Sequence, residues 1–190
     1  MRKAMKLIPI AVLILALVGS VYGYSSGITG QSQIGCTCHG AIDSQVTVTV
    51  LGVPGNYTPG ATYLLTINVT GDVPGSDGGF DLSATSGNLS TNDPNAQIVN
   101  GEATHKNNHA RQWQVNWTAP NDVNATSFYV AGVVSNGSGT EGSAWNKSVY
   151  GGNIIPEFPG IAPFVVLAVV STAVLVFARK RFSGTIARKS

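Results

Sequence analysis

Charge is scarce in this chain of 190 residues, at 11% of positions, against about 25% in ordinary globular proteins. Positive charge is scarcest where a nucleic acid would need it. Eight of the eleven basic residues crowd the termini: Arg2, Lys3, Lys6, Arg179, Lys180, Arg181, Arg188 and Lys189. Between residues 24 and 155 only Lys106, Arg111 and Lys147 are basic, against eight acidic residues, which leaves that body at −5. With no basic stripe to neutralise phosphates, a nucleic-acid partner is excluded. Cysteine is scarcer still, with only Cys36 and Cys38, so a fold stapled by several disulfides is excluded. Helical spacing is missing from the body over any useful length. Nothing points to a Ser/His/Asp triad, and the expectation is a protein that is not an enzyme.

The N-terminus has the three-part grammar of an export signal. Residues 1–6 are basic, residues 7–18 are apolar, and Val21-Tyr22-Gly23 offers small residues at −3 and −1. The apolar core of 12 residues is too short to cross about 30 Å of hydrocarbon as a helix. Cleavage after Gly23 is expected, giving a chain that begins at Tyr24; the alternative is an uncleaved anchor.

The C-terminus carries a different membrane signal. Residues 161–178 hold 18 positions without charge, enough to span when helical. Arg179-Lys180-Arg181 follows directly and puts the C-terminus in the cytoplasm. The expectation is a cell-membrane protein, single-pass, with its body extracellular. Pro156-Glu157-Phe158-Pro159-Gly160 precedes the span as a helix-breaking spacer. This ending resembles the archaeal Pro-Glu-Phe sorting signal. That resemblance implies removal of the tail by a sortase-like enzyme and attachment to lipid. Nine residues continue past the basic cluster here, a longer tail than that family's.

Between these signals the chain alternates with period two. Val46, Val48 and Val50 alternate with Thr47 and Thr49. Tyr63, Leu65, Ile67 and Val69 share one face, Phe80, Leu82 and Ala84 another, and Trp113, Val115 and Trp117 a third. Residues 126–134 form a mostly apolar run, as a strand buried on both faces would. Glycine-, proline- and asparagine-rich turns separate the runs. The pattern predicts an all-β fold, an antiparallel immunoglobulin-like β-sandwich, followed by a single C-terminal transmembrane helix. The expected divisions are 1–23 signal peptide, 24–44 Cys/His segment, 45–150 sandwich, 151–160 spacer, 161–178 span and 179–190 basic cytoplasmic tail.

Seven Asn-x-Ser/Thr sequons fall in the body, at Asn56, Asn68, Asn88, Asn116, Asn124, Asn136 and Asn146. They predict an exported, N-glycosylated surface. The alternative is that an Asn- and Thr-rich β surface makes sequons by accident.

Four ordered motifs carry a resemblance over residues 27–148. They are Tyr57-x-Pro59-Gly60-x-x-Tyr63, Gly79-Phe80-Asp81-Leu82-Ser83-Ala84, Ala103-Thr104-His105 and Trp113-Gln114-Val115-Asn116-Trp117-Thr118-Ala119-Pro120. Together they resemble a reelin-type (reeler) domain, and more closely the prokaryotic choice-of-anchor V relatives. The resemblance implies an extracellular β-sandwich placed ahead of an anchor, with a surface role and no fixed ligand.

The chemistry-bearing stretch is Gly35-Cys36-Thr37-Cys38-His39-Gly40. Three readings compete. Cys36 and Cys38 form a disulfide with each other, in a very small ring. Alternatively, the thiolates and His39 attach a c-type haem or bind zinc or copper. Or the cysteines are free, or pair with another molecule. Choice-of-anchor V relatives often carry Cys-x-x-Cys-His-Gly at this point, so Cys38-His39-Gly40 matches while Cys36 stands one residue too near. A metal or haem needs further ligands, and His105, where the reeler pattern also has a histidine, is the first choice; His109 reads as a loop residue. Asp72, Asp77 and Asp81 match no calcium-loop spacing and read as turn chemistry. The leading expectation is a glycosylated, membrane-anchored surface protein serving adhesion, envelope structure or binding of a surface or envelope partner. The alternative is a tethered electron-transfer or metal-binding protein.

Overall fold

The computed structural model describes residues 24–121, 125–140 and 142–156, with side chains as far as residue 151. The export signal, the span, the tail and Asn124 lie outside the described residues. Among the described residues no helix is long and apolar enough to cross a membrane.

Among the described residues ten strands form two facing sheets. They are β1 (Thr47–Leu51), β2 (Asn56–Tyr57), β3 (Thr62–Thr70), β4 (Asp77–Ala84), β5 (Asn88–Ser90), β6 (Ala96–Val99), β7 (Glu102–His105), β8 (Gln112–Thr118), β9 (Thr126–Ser135) and β10 (Ser143–Pro156). One sheet has the order β1-β3-β8-β5, the other β2-β10-β9-β4-β7-β6. Every pairing is antiparallel except β2 with the end of β10. The four period-two runs are therefore β1, β3, β4 and β8, each in the expected phase, and the apolar run is β9.

One departure from expectation has a simple cause. β10 continues to Pro156, six residues into the stretch read as spacer, with a register shift between Gly151 and Ile154. Its end pairs with the two-residue β2 at the sheet edge, where a proline without an N–H is tolerated. The β6–β7 hairpin turns at Asn100-Gly101, both at positive φ (51° and 81°), as the tight hairpin turn requires.

The core is built around two tryptophans of β8, both fully buried. Trp117 packs edge-on against Tyr57 (5.4 Å) and Phe128 (5.1 Å) and lies near Tyr63 (5.7 Å). Its indole N–H donates to the Ser86 carbonyl at 2.9 Å. Trp113 stacks at a tilt on Phe80, 4.7 Å away. Val48, Val50, Leu65, Ile67, Leu82 and Val130 fill the space between the sheets.

The two outer faces differ. That of the four-stranded sheet carries Thr, Asn, Gln, Ser and Leu and no charged residue. That of the six-stranded sheet is covered over its middle, so β4 is buried on both sides from Gly78 to Leu82 and β9 from Ala131 to Val134. Replacing Trp117 by Ala should cost about 3–5 kcal/mol of stability in guanidinium unfolding. Leu51→Ala, at a side chain 60% exposed, should change it by less than about 0.5 kcal/mol.

Candidate functional site

What covers the six-stranded sheet is the N-terminal segment, residues 24–34, which lies across β4, β6 and β7 as a strap. It is held chiefly by sheet side chains that reach its backbone at alternate residues. His105 Nε2 donates to the Tyr24 carbonyl at 3.0 Å, and the Gln97 side-chain amide donates to Ser26. The Ile28 N–H donates to Thr104 Oγ1 at 3.3 Å, and the Gly30 N–H to the Glu102 carboxylate. The N–H groups of Gln31 and Ser32 both donate to Asp81 Oδ2, at 2.7 and 2.9 Å, while the Ser32 hydroxyl pairs with that of Ser83 at 2.8 Å. Beyond it, Lys147 Nζ donates to the Gln33 carbonyl at 2.7 Å.

The strap leads into a single 3-10 turn, Thr37–His39, with Cys36 before it and Gly40 after it. Trp145, on the outer face of β10, seats this turn. Its indole N–H donates to the Gly40 carbonyl at 2.9 Å. Its ring lies so close to Gly35 that a Cβ there would sit 2.1 Å away, and Gly35 has φ +100°. Glycine is required at that position on both counts. Trp145 is therefore buried outside the sandwich core, unlike Trp113 and Trp117.

Strap, turn and sheet enclose a cavity of about 210 Å³. Cys36, Cys38, His39 and His105 all line it, as does Asp81. The structure thus brings the four sequence-predicted donors to one cavity. His109 stands elsewhere, 75% exposed and 3.6 Å from Asp77 on the surface. Asp81, read in the sequence with Asp72 and Asp77 as turn chemistry, instead stands within β4 and lines the cavity. It is 1% exposed; its second oxygen, Oδ1, receives no N–H group, and its side chain is in hydrogen-bonding contact with the Glu102 carboxyl. Its only sequence signal is a carboxylate in the outward phase of a strand whose outward neighbours are Gly79 and Ser83.

The protonation states follow from the bonds. Ser143 Oγ spends its hydrogen on the Thr140 carbonyl, so His39 Nδ1, 2.7 Å from that oxygen, must be the donor. Burial and the neighbouring His105 hold His39 below its ordinary pKa. It is neutral, with the Nε2 lone pair uncommitted. His105 is engaged at both nitrogens: Nε2 at the Tyr24 carbonyl, 3.0 Å away, and Nδ1 within 3.2 Å of both the N–H and the carbonyl of Phe80. Its ring lies over Gly79, where a Cβ would come within 2.7 Å of it. Burial, with Asp81 and Cys38 adding, pushes the Cys36 thiol up to about 12, so it stays protonated. Burial outweighs the two N–H bonds on Asp81 and, with the nearby Glu102 charge, pushes its carboxyl up to about 7.

This donor set is not arranged for a metal or a haem. Both nitrogens of His105 are spoken for, Cys36 is a desolvated thiol rather than a thiolate, and 210 Å³ falls short of the roughly 300–1,000 Å³ of cofactor pockets. Among the described residues no three His, Cys, Asp or Glu side chains converge on one point. Cys36 and Cys38 are not bonded to each other; Cys36 is half-buried and Cys38 exposed. Two short glycine patterns also carry no chemistry. The serine of Gly-x-Ser-x-Gly at residues 23–27 lies on the strap, not at a strand-to-helix elbow. Gly-x-Gly-x-x-Gly at residues 137–142 joins antiparallel β9 and β10, with no helix to receive a phosphate.

Among solved structures, the chain is similar to the Reelin-N domain of F-spondin, at 18% identity and a TM-score of 0.44, covering 64% of this chain and 95% of that one. It is similar to a human F-spondin reeler domain, at 18% identity and a TM-score of 0.43, covering 63% and 96%. A conjugative transposon lipoprotein from Bacteroides eggerthii gives 21% identity and a TM-score of 0.36, covering 57% and 98%. No protein-family model and no curated protein matches the chain.

Two measurements test the site as drawn. A carboxyl raised in the folded state stabilises below its unfolded value, and that stability is lost as pH rises through the folded value. Between the ordinary 3.8 and about 7, stability should therefore fall with a slope approaching 1.4 kcal/mol per pH unit. Asp81→Asn, which keeps an acceptor for Gln31 and Ser32, should flatten that slope in denaturation series across the range. Gly35→Ala should weaken the seating of the turn and shift Trp145 fluorescence toward solvent. Gly55→Ala, at an ordinary φ with nothing within 4 Å, should leave the emission unchanged.

Proposed function

We propose that the chain is a membrane-anchored, glycosylated extracellular surface protein whose sandwich serves binding, adhesion or envelope structure rather than catalysis. The observation that carries this reading is the outer face of the four-stranded sheet. A strand with period two puts residues i and i+2 of a sequon on the same side. The pairs Asn68/Thr70, Asn88/Ser90 and Asn116/Thr118 all point outward from that uncharged face. Asn56 and Asn136 are exposed as well. Such a surface accepts bulky polar sugars without disturbing the core. The two terminal signals and the acidic body support export and anchoring, and the spacer suits an end-on tether. The Pro-Glu-Phe ending supports an archaeal source and a tail open to processing.

A second reading, a tethered metal or haem protein at Cys36, Cys38, His39 and His105, rests on one observation: all four line one cavity. The engaged His105 and the protonated Cys36 weigh against it, and the surface reading stands first. An absorption spectrum and metal analysis of protein from its native source separate the two. A Soret band or stoichiometric metal would overturn the ranking.

The surface reading also makes a site-by-site prediction. Asn146 turns its amide inward and donates to the Val46 carbonyl at 2.7 Å, and Ser148 Oγ donates to Val48 at 2.9 Å. Glycopeptide mapping of native protein should find sugar at Asn68, Asn88 and Asn116 and none at Asn146. Bare asparagine at all seven sequons would refute glycosylation.

A further inference from the structure

We infer that the sugar on Asn116 is a structural glycan, its first ring lying with an apolar C–H face on Leu64, whereas sugars on Asn68 and Asn88 stand free in solvent. The proposal deepens the glycosylated-surface reading above by giving one sequon a docking place, and rests on that reading for the sugar itself.

Three observations converge on it. The first is register. Asn116 of β8 stands directly opposite Leu64 of β3, and such opposed side chains have Cβ atoms about 4.5–5.5 Å apart. Both point outward from the four-stranded sheet, and Leu64 is 51% exposed. The other outward sequons meet only polar partners: Asn68 faces Thr49 and Gln112, and Asn88 faces Thr118. The second is an apolar spot in a polar field. That face otherwise carries Thr, Asn, Gln and Ser, with Leu51 as its one other exposed apolar side chain. The third is an uncommitted amide. Among the described residues the Asn116 side chain has no hydrogen-bond partner, unlike Asn146, which donates to the Val46 carbonyl. Thr118, the third residue of its sequon, is tied instead to Thr62, hydroxyl to hydroxyl at 3.0 Å. Asn116 is half-buried between Leu64 and Ser90, so a ring joined to its amide starts low against the sheet. A pyranose has a C–H face and a rim of hydroxyls. Laid on Leu64, the face removes apolar surface from water, while the rim meets Ser90, Thr66 and Gln114 around the pair. Covering the exposed half of one leucine should raise the folding equilibrium constant about fivefold.

The test is a double-mutant cycle on the full chain, made in its native source, purified in a non-ionic detergent and unfolded in guanidinium. Glycopeptide mapping first reads the occupancy of Asn116. Asn116→Gln removes the sugar and keeps an amide, and it should lower the folding constant about fivefold. Leu64→Thr should lower it by a similar factor with the sugar present and far less in the Asn116→Gln background, so the two losses do not add. Leu51→Thr, at a side chain 60% exposed and opposite Thr66, should act alike in both backgrounds. Asn88→Gln should leave stability unchanged. All four positions lie on the outer face, so the variants keep the core intact. Stability unchanged by Asn116→Gln would overturn the proposal. So would an equal Leu64→Thr loss in both backgrounds, which would assign the leucine to another contact such as a second copy of the chain. A bare Asn116 would refute glycosylation at that site and the proposal with it. An occupied Asn116 with additive losses would refute the proposal alone.

Discussion

One carboxylate oxygen receiving two backbone N–H groups is the contact on which the rest of the site depends. Asp81 Oδ2 fixes Gln31 and Ser32, and with them the point where the strap gives way to the Cys-x-Cys-His turn. Each such bond is worth about 1.5–3 kcal/mol, whereas taking a carboxylate out of water costs several kcal/mol. The balance favours the neutral acid near neutrality, and the carboxyl rises to about 7. The clamp is thus strong and under strain at once. It holds the strap at the edge of the cavity, with the Glu102 carboxyl in hydrogen-bonding contact beside it.

The strap also explains the asymmetry of the sandwich. The four-stranded sheet alternates apolar-in and polar-out, as a sheet with one wet face does. The six-stranded sheet buries both faces only along parts of β4 and β9, the inner against Trp113 and Trp117 and the outer beside residues 24–34 and the turn. Val149 on β10 stays 61% exposed. Its central strand β9 is therefore apolar on both sides, and Trp145 can serve as a platform outside the core. The two faces of the molecule divide accordingly, one suited to carry sugars and the other holding the cavity.

Much of the fold was legible because the strands that make the core obey period two without interruption. The phases of β1, β3, β4 and β8 could be read from Val, Leu, Ile, Phe and Trp alone, and the doubly buried β9 from its unbroken apolar run. The short edge strands β2 and β5 were not legible, since two or three residues carry no period. β10 was missed because Asn146, Ser148 and Tyr150 face inward by bonding the carbonyls of Val46 and Val48, which inverts the usual polar-out pattern. The gathering of Cys36, Cys38, His39 and His105 was anticipated only as a pairing of ligands. What joins them is a strap held by side chain to backbone bonds, which leave no trace in hydrophobic pattern. Asp81 was hidden for the same reason: its partners are backbone groups some 50 residues away, and any residue can supply those.

The central claim is that Asp81 pins the strap to the sheet and thereby makes the cavity. Native-state hydrogen exchange of the Gln31 and Ser32 amides tests it most directly. The account predicts that both exchange slowly in the wild-type chain and lose their protection in Asp81→Ala, while the β8 amides of Val115 and Trp117 stay protected. Unprotected exchange at Gln31 and Ser32 in the wild-type chain, or protection that survives the substitution, would contradict it.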